Sequence, residues 1–301
     1  LEKKNKKIKS IDLFYLGRKN VCNKTLVRLW RKELIIFPRF ILRPLCLQIR
    51  FFKLLNFLRC GHTICGQRDI LNLLDQYPPT IQLSNDDLIK GDNERLKIGL
   101  PKKAKFVCLV VRDSSYLEKL YGKKISIHDY RDSDIDDFVT ACETLTELGY
   151  YVIRMGANVK KPINTNNKMI IDYAFKNLRT HFMDIYLASK CEFCITTGTG
   201  FDGTTLMFRK PNIYVNIAPL FHLRLECSNL LSIPNHYYSK KLSRNLTISE
   251  ITNSNSAVHL KTKSFYDDGI ELIKNSAEDI KQLCIEAAKR HTKEWEDHEG
   301  D

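Results

Sequence analysis

No stretch of this chain approaches about 18 uninterrupted apolar residues, so a membrane-spanning helix is not expected. The N-terminal residues lack an apolar signal core with a small-residue cleavage site. Export is therefore not expected, and the reading is of a cytoplasmic protein. Cysteine is too sparse for a disulfide scaffold, 10 in 301 residues, and the thiols are expected to be reduced and mostly buried. Internal repeats are absent, and the only low-complexity tract is the lysine-rich tail at residues 3–9. Acidic residues are nearly missing from residues 1–60, where Glu2, Asp12 and Glu33 stand against 16 Lys and Arg. That segment holds the whole net charge of +13, because residues 61–301 carry 32 charges of each sign. A nucleic-acid reader more often carries its basic patch on the folded domain, and no helix-turn-helix, zinc-finger or RNA-recognition signature accompanies this one. Nucleic acid is therefore not an expected partner.

What is present suffices for a core: 43 % apolar and 10 % aromatic residues over a length that suits two compact domains or one large one. In the basic segment, IDLFYLG reads as a short strand ending at Gly17. From Thr25 to Leu58 the chain is apolar with basic punctuation. Arg28, Lys32, Arg39, Arg43 and Arg50 recur at spacings of 4, 7, 4 and 7, which keeps them near one helical face. Pro38 and Pro44 break or kink such a helix, so two or three short helices are expected. These helices pack on a core with a solvated basic face, or they dock residues 1–60 on anionic lipid headgroups at the inner face of the cytoplasmic membrane.

From residue 100 the pattern becomes α/β. KFVCLVVRD (105–113) is a continuous apolar run of the kind buried on both faces of a parallel sheet. A loop to His128 precedes an acidic-started helix, DSDIDDFVTACETLTELG. Strands follow at YYVIRMG, MIIDYA, CEFCIT, NIYVNIAP and LLSIP, with helices at HFMDIYLASK and after FDGTT. Strands alternating with helices imply right-handed crossovers and a parallel sheet with helices on both faces. Near the end, Ser276 and Asp279 form a capping box ahead of a helix over 277–295.

Ligands of such sheets bind outside the carboxyl ends of the strands. Those ends deliver Arg112 and Asp113, Arg154, Asp172, and Thr197, Gly198, Thr199 and Gly200, while the loop before the first helix supplies His128, Asp129 and Arg131. Three arginines at one edge suit a phosphate or carboxylate ligand. The loop TTGTGFDGTT lets backbone approach a ligand, and its amides suit an oxyanion. It is not a Walker loop. Its G-x-G-x-x-G spacing lies late in the chain with no acidic residue about 20 positions on, which argues against NAD. The pair Cys191 and Cys194, the cluster Cys60, His62 and Cys65, and the acids of Asp132-Ser-Asp134 are not expected to hold metal; capping explains the last. The sequons at Asn23 and Asn245 carry no weight without export.

The run VCLVVRDSSYLEK, then HDYRDSDIDDFVTACETLTELGYYVIRMG, IIDYA, DIYLASKCEFCITTGTGFDG and FRKPNIYVNIAPL, resembles a family of bacterial glycosyltransferases of surface-polysaccharide gene clusters. The similarity covers roughly residues 60–290, and the ordered set HDYR, VIRMG and TGTG carries it. The resemblance implies a GT-B-like architecture of two Rossmann-like halves. On that basis residues 1–95 form a basic, mostly helical acceptor-side part, and residues 96–301 form the nucleotide-sugar-binding domain. Family members carry a longer N-terminal half, so that half is expected to be incomplete here. The implied activity is metal-independent transfer of a sugar from a nucleotide-sugar co-substrate to a cell-surface glycan or lipid-linked acceptor, with no other cofactor. Arg112, Arg131 and Arg154 would hold the donor phosphates, Thr197 to Gly200 would cradle phosphate or ribose, and Asp129, His128 and Asp113, in that order, are candidates for the general base. Pyruvyl transfer or epimerisation on the same architecture, and a non-enzymatic membrane-surface or nucleic-acid-binding role, are the competing readings.

Overall fold

The computed structural model describes residues 13–16, 21–51, 69, 72–123, 126–176, 178–224 and 227–297. The chain opens with a small βαβ unit: β1 (Leu13–Tyr15), α1 (Lys24–Glu33) and β2 (Ile35–Phe37), the two strands pairing in parallel. α2 (Arg39–Phe51) follows, and then α3 (Leu73–Gln76) and α4 (Asn85–Lys97). The expected single face of five basic residues does not form. Strand β2 interrupts the helical period between Lys32 and Arg39, and Arg28 is drawn to Asp87 (2.8 Å). Pro38 stands ahead of α2, whereas Pro44 lies inside it, where the helix continues at the loss of one backbone hydrogen bond. Cys60, His62 and Cys65 lie outside the described residues.

The run from Phe106 builds the main sheet. Its elements are β3 (Phe106–Val110), α5 (Ser115–Tyr121), a 3-10 turn at Asp129–Arg131, α6 (Val139–Glu147), β4 (Tyr151–Arg154), β5 (Ile170–Ile171), α7 (His181–Lys190), β6 (Cys194–Thr196), α8 (Asp202–Met207), β7 (Asn212–Ile217) and β8 (Leu230–Pro234). All six strands are parallel, in the order β5-β4-β3-β6-β7-β8. The chain winds outward one way from β3 through β4 to β5, then returns past β3 and winds the other way from β6 to β8. This is the winding of Rossmann-like sheets. The protein has the expected α/β fold, with a six-stranded parallel sheet flanked by helices. Helix α5, short and partly exposed, occupies what the sequence reads as loop.

β9 (His236–Ser239), β10 (Arg244–Asn245), α9 (Ile248–Thr252), α10 (Thr262–Asp267) and β11 (Ile270–Ile273) follow, the strands forming an antiparallel sheet that the periodicity did not foreshadow. α11 (Ala277–Thr292) closes the fold behind the predicted capping box: Ser276 Oγ accepts from the Asp279 N–H (3.1 Å), and the Asp279 carboxylate accepts from the Ser276 N–H (2.9 Å).

Strand alternation divides the core. Val107, Leu109 and Val111 pack with α6 and α11 on one face, while Phe106, Cys108 and Val110 pack with α7 on the other. Leu29 of α1 sits with Ile81 and Ile185, which seats the N-terminal unit on α7. Among the eight described cysteines, Cys108, Cys142, Cys191, Cys194 and Cys284 are buried, and Cys22 and Cys46 are exposed. No helix among the described residues is long and apolar enough to cross a membrane.

Candidate functional site

The winding reverses between β3 and β6, so the segments leaving their carboxyl ends diverge and open a crevice. A cleft of about 640 Å³ lies there. Its floor is the end of β3 (Val110 to Asp113), its sides are Met155 to Val159 after β4 and Gly198 to Phe201 after β6, and Cys22, Asn23 and Leu26 face it from the N-terminal unit.

Arg112 and Arg131 line this cleft, as expected. Arg112 is held three ways. Its N–H donates to Thr197 Oγ1 (2.8 Å), its guanidinium donates to the His128 carbonyl (3.0 Å), and it pairs with Asp132. Arg131 donates to the Gly198 carbonyl (2.7 Å) and has no ion-pair partner among the described residues. Burial, and then Arg112 beside it, pull this guanidinium below its usual range. Both effects disfavour an uncompensated cation, and an incoming anion would relieve them.

Arg154 does not belong to the site. It is 2 % exposed, pairs with Asp172 (3.2 Å) and donates to the Lys161 carbonyl (2.7 Å). Strand alternation turns it away from Met155, the next residue, which does line the cleft. Its place is taken by Arg179, which faces the cleft while pairing with Asp184 (2.7 Å). The strand-end rule could have found Arg179, because it lies on the loop that leaves β5 for α7.

The candidate bases separate. Asp129 is on the 3-10 turn, half-buried and off the cleft wall; the turn that sends Arg131 to Gly198 buries Tyr130 beside Phe265 and leaves Asp129 outside. Asp113 lines the cleft, but its two oxygens accept the N–H groups of Ser115 (2.9 Å) and Lys160 (2.9 Å), which makes it an organiser of two loops. His128 lines the cleft, and its Nδ1 is buried without a hydrogen-bond partner. Arg112 fixes the backbone that carries it. The order of candidates therefore becomes His128 first.

The loop from Thr197 to Gly200 is also corrected. Gly198, Thr199 and Gly200 reach the cleft, but Thr197 is 2 % exposed beneath it. The N–H of Thr197 bonds the Val110 carbonyl (3.2 Å), that of Gly198 bonds Thr196 Oγ1 (3.1 Å), and that of Thr199 bonds the Asp202 carboxylate (3.0 Å). Those amides are spent inside the protein and do not form an oxyanion cradle. Gly198 has φ +78°, which favours glycine, and aims its carbonyl at Arg131. Below the loop, burial pushes the Asp202 carboxyl up to about 6.

Sequence reasoning also missed Lys274, which donates to the Tyr130 carbonyl (2.8 Å) behind the arginine pair and is pulled down to about 8 by burial. No sequence signal pointed to it, because it arrives from the antiparallel region. Asp134 caps the 3-10 turn ahead of α6 by accepting from the Asp136 N–H (2.9 Å), as the capping reading of Asp132-Ser-Asp134 requires. Asp132 instead serves Arg112. Among the described residues, no cluster of three or more His, Cys, Asp or Glu could hold a metal ion.

No family model matches this chain, and neither curated proteins nor solved structures provide a match.

Proposed function

We propose that the cleft binds the phosphates of a nucleotide-linked sugar and that the protein is a glycosyltransferase of GT-B-like organisation. The Rossmann-like sheet would hold the donor, and the N-terminal unit would form the acceptor side. The observation that carries this reading is Arg131, a half-buried cation at the topological switch point with no carboxylate partner among the described residues and a second guanidinium beside it. Apolar walls from Leu26, Leu117, Met155 and Phe201 suit the flat faces of a base or sugar.

In an inverting transfer, His128 accepts the proton of the acceptor hydroxyl as its oxygen attacks the anomeric carbon. The bond from that carbon to the donor phosphate breaks. The electron pair leaves with the nucleotide, whose growing negative charge falls to Arg131 and Arg112. Asp113 keeps the loops after β3 and β4 together around the reacting atoms.

Thermal shift against GDP-, UDP-, ADP-, dTDP- and CMP-linked sugars tests the reading. A matching donor at one hundred times its Kd should stabilise the fold by about 2.7 kcal/mol. Arg131→Ala should abolish that shift while leaving the unliganded melt near the parent's. His128→Gln should keep the shift and lose turnover by about 10²–10⁴-fold. A full panel without any shift would reject the proposal.

A further inference from the structure

The cleft makes no use of the outer surface of the N-terminal unit. There, Phe40 is 78 % exposed, and Ile41, Leu45 and Leu47 are exposed too. From Arg39 to Gln48 only Leu42 is buried, so α2 is an apolar helix open to solvent around most of its girth. Such a helix calls for a cover. Between β2 and the start of α2 runs an open groove of about 1000 Å³, in which Arg31, Arg39 and Arg43 stand around Phe37, Phe40 and Pro44. The Nε of Arg39 is buried there without a partner. No acidic residue occurs from Leu34 to Arg68.

We propose that this surface seats on the anionic face of a lipid bilayer, with Arg31, Arg39 and Arg43 on headgroup phosphates and Phe40, Ile41, Leu45 and Leu47 at the acyl boundary. The combination of cations and apolar side chains gathered along one short helix and the groove beside it, without acids from Leu34 to Arg68, is what an anionic bilayer interface complements. At 13 residues, α2 is about 20 Å long against a hydrocarbon core of about 30 Å, so it lies in the interface and does not span. A second copy is the poorer occupant. A two-fold contact would set Arg31, Lys32, Arg39 and Arg43 against their own images, with Glu33 the one acidic residue in the sequence from Leu13 to Arg68. Nucleic acid would neutralise the arginines but leave the apolar side chains without a matching partner. The proposal is independent of the reading of the cleft.

Flotation of the full chain with phosphatidylcholine vesicles, with and without phosphatidylglycerol, tests it. The protein should float only with the anionic vesicles and be released near 1 M salt, where the screening length falls to about 3 Å. The triple variant Arg31→Ala, Arg39→Ala, Arg43→Ala should lower the partition coefficient about 100-fold. Phe40→Ser with Leu45→Ser should also lose binding with an unchanged melting temperature. Alkylation of Cys46, on α2, should slow in the presence of anionic vesicles, while alkylation of Cys22, at the cleft, should not. Absence of flotation would overturn the proposal. So would a triple variant that binds like the parent, a Phe40-dependent dimer that ignores vesicles, or release from vesicles by equimolar nucleic acid.

Discussion

Arg131 and Arg154 both sit near strand ends of one sheet, and their counter-charges set them to different tasks. Arg154 neutralises Asp172, whose oxygens also accept the N–H groups of Ile163 (2.9 Å) and Phe175 (3.2 Å). Removing the guanidinium leaves a buried carboxylate uncompensated. Arg154→Met should therefore cost about 3–5 kcal/mol in urea unfolding. Asp172→Asn in the same chain should recover part of that loss, and the proposed nucleotide binding should survive in whatever fraction remains folded. Asp202 gives a pH signature. Its folded pKa of about 6 lies above the ordinary value of 3.8, so the native state holds the proton more tightly and ionisation works against the fold. The penalty is absent below about pH 4, grows as pH rises towards 6 and is complete above it. Asp202→Asn, which keeps an acceptor for the Thr199 N–H, should stabilise the protein by about 2 kcal/mol at pH 7.5 and by almost nothing near pH 4, as read by denaturant titration at both pH values.

At the scale of elements, the approach of α4 to α7 depends on one glycine. A Cβ on Gly91 would stand 1.9 Å from Cδ2 of Tyr186, whose hydroxyl is already committed to Asp92 (2.6 Å). The ring cannot swing aside without losing that bond. Gly91→Ala should destabilise the protein by about 1–3 kcal/mol through overpacking, although alanine favours a helix. A rise in the urea midpoint would contradict this packing account. Local rules placed several elements well. The ten residues HFMDIYLASK are helical from first to last, LLSIP is β8, and the Ser276–Asp279 box stands where its spacing put it. They failed at β2 and α5. β2 is three residues paired only with β1, and α5 is seven residues with no buried side chain, so neither bears a periodic pattern long enough to read.

The whole molecule decides where a ligand can go. The reversal of winding between β3 and β6 opens the crevice, and Leu29 docking beside Ile185 brings α1 across its mouth. Cys22 is thereby exposed on the cleft wall, near the Tyr116 hydroxyl (3.9 Å). A bound nucleotide should slow alkylation of Cys22 and leave Cys46, on α2, at its free rate. Mass spectrometry of the labelled peptides would measure both. Equal rates with and without ligand would place the ligand elsewhere.

The α/β class, the six strands and the strand ends as the place where a cleft opens were all legible from residue order. Continuous apolar runs, capping residues and turn glycines act over a few positions and need no distant partner. The membership of the site was not legible in that way. Arg154 and Arg179 look alike in the chain, and only strand alternation and the pairing of Asp172 and Asp184 decide which one meets the cleft. Likewise Thr197 to Thr199 read as free amides until Val110, Thr196 and Asp202 close on them, and Lys274 reaches the Tyr130 carbonyl from 144 residues away. Charge pairing and amide satisfaction are long-range accounts, settled only when the folded chain brings their two sides together.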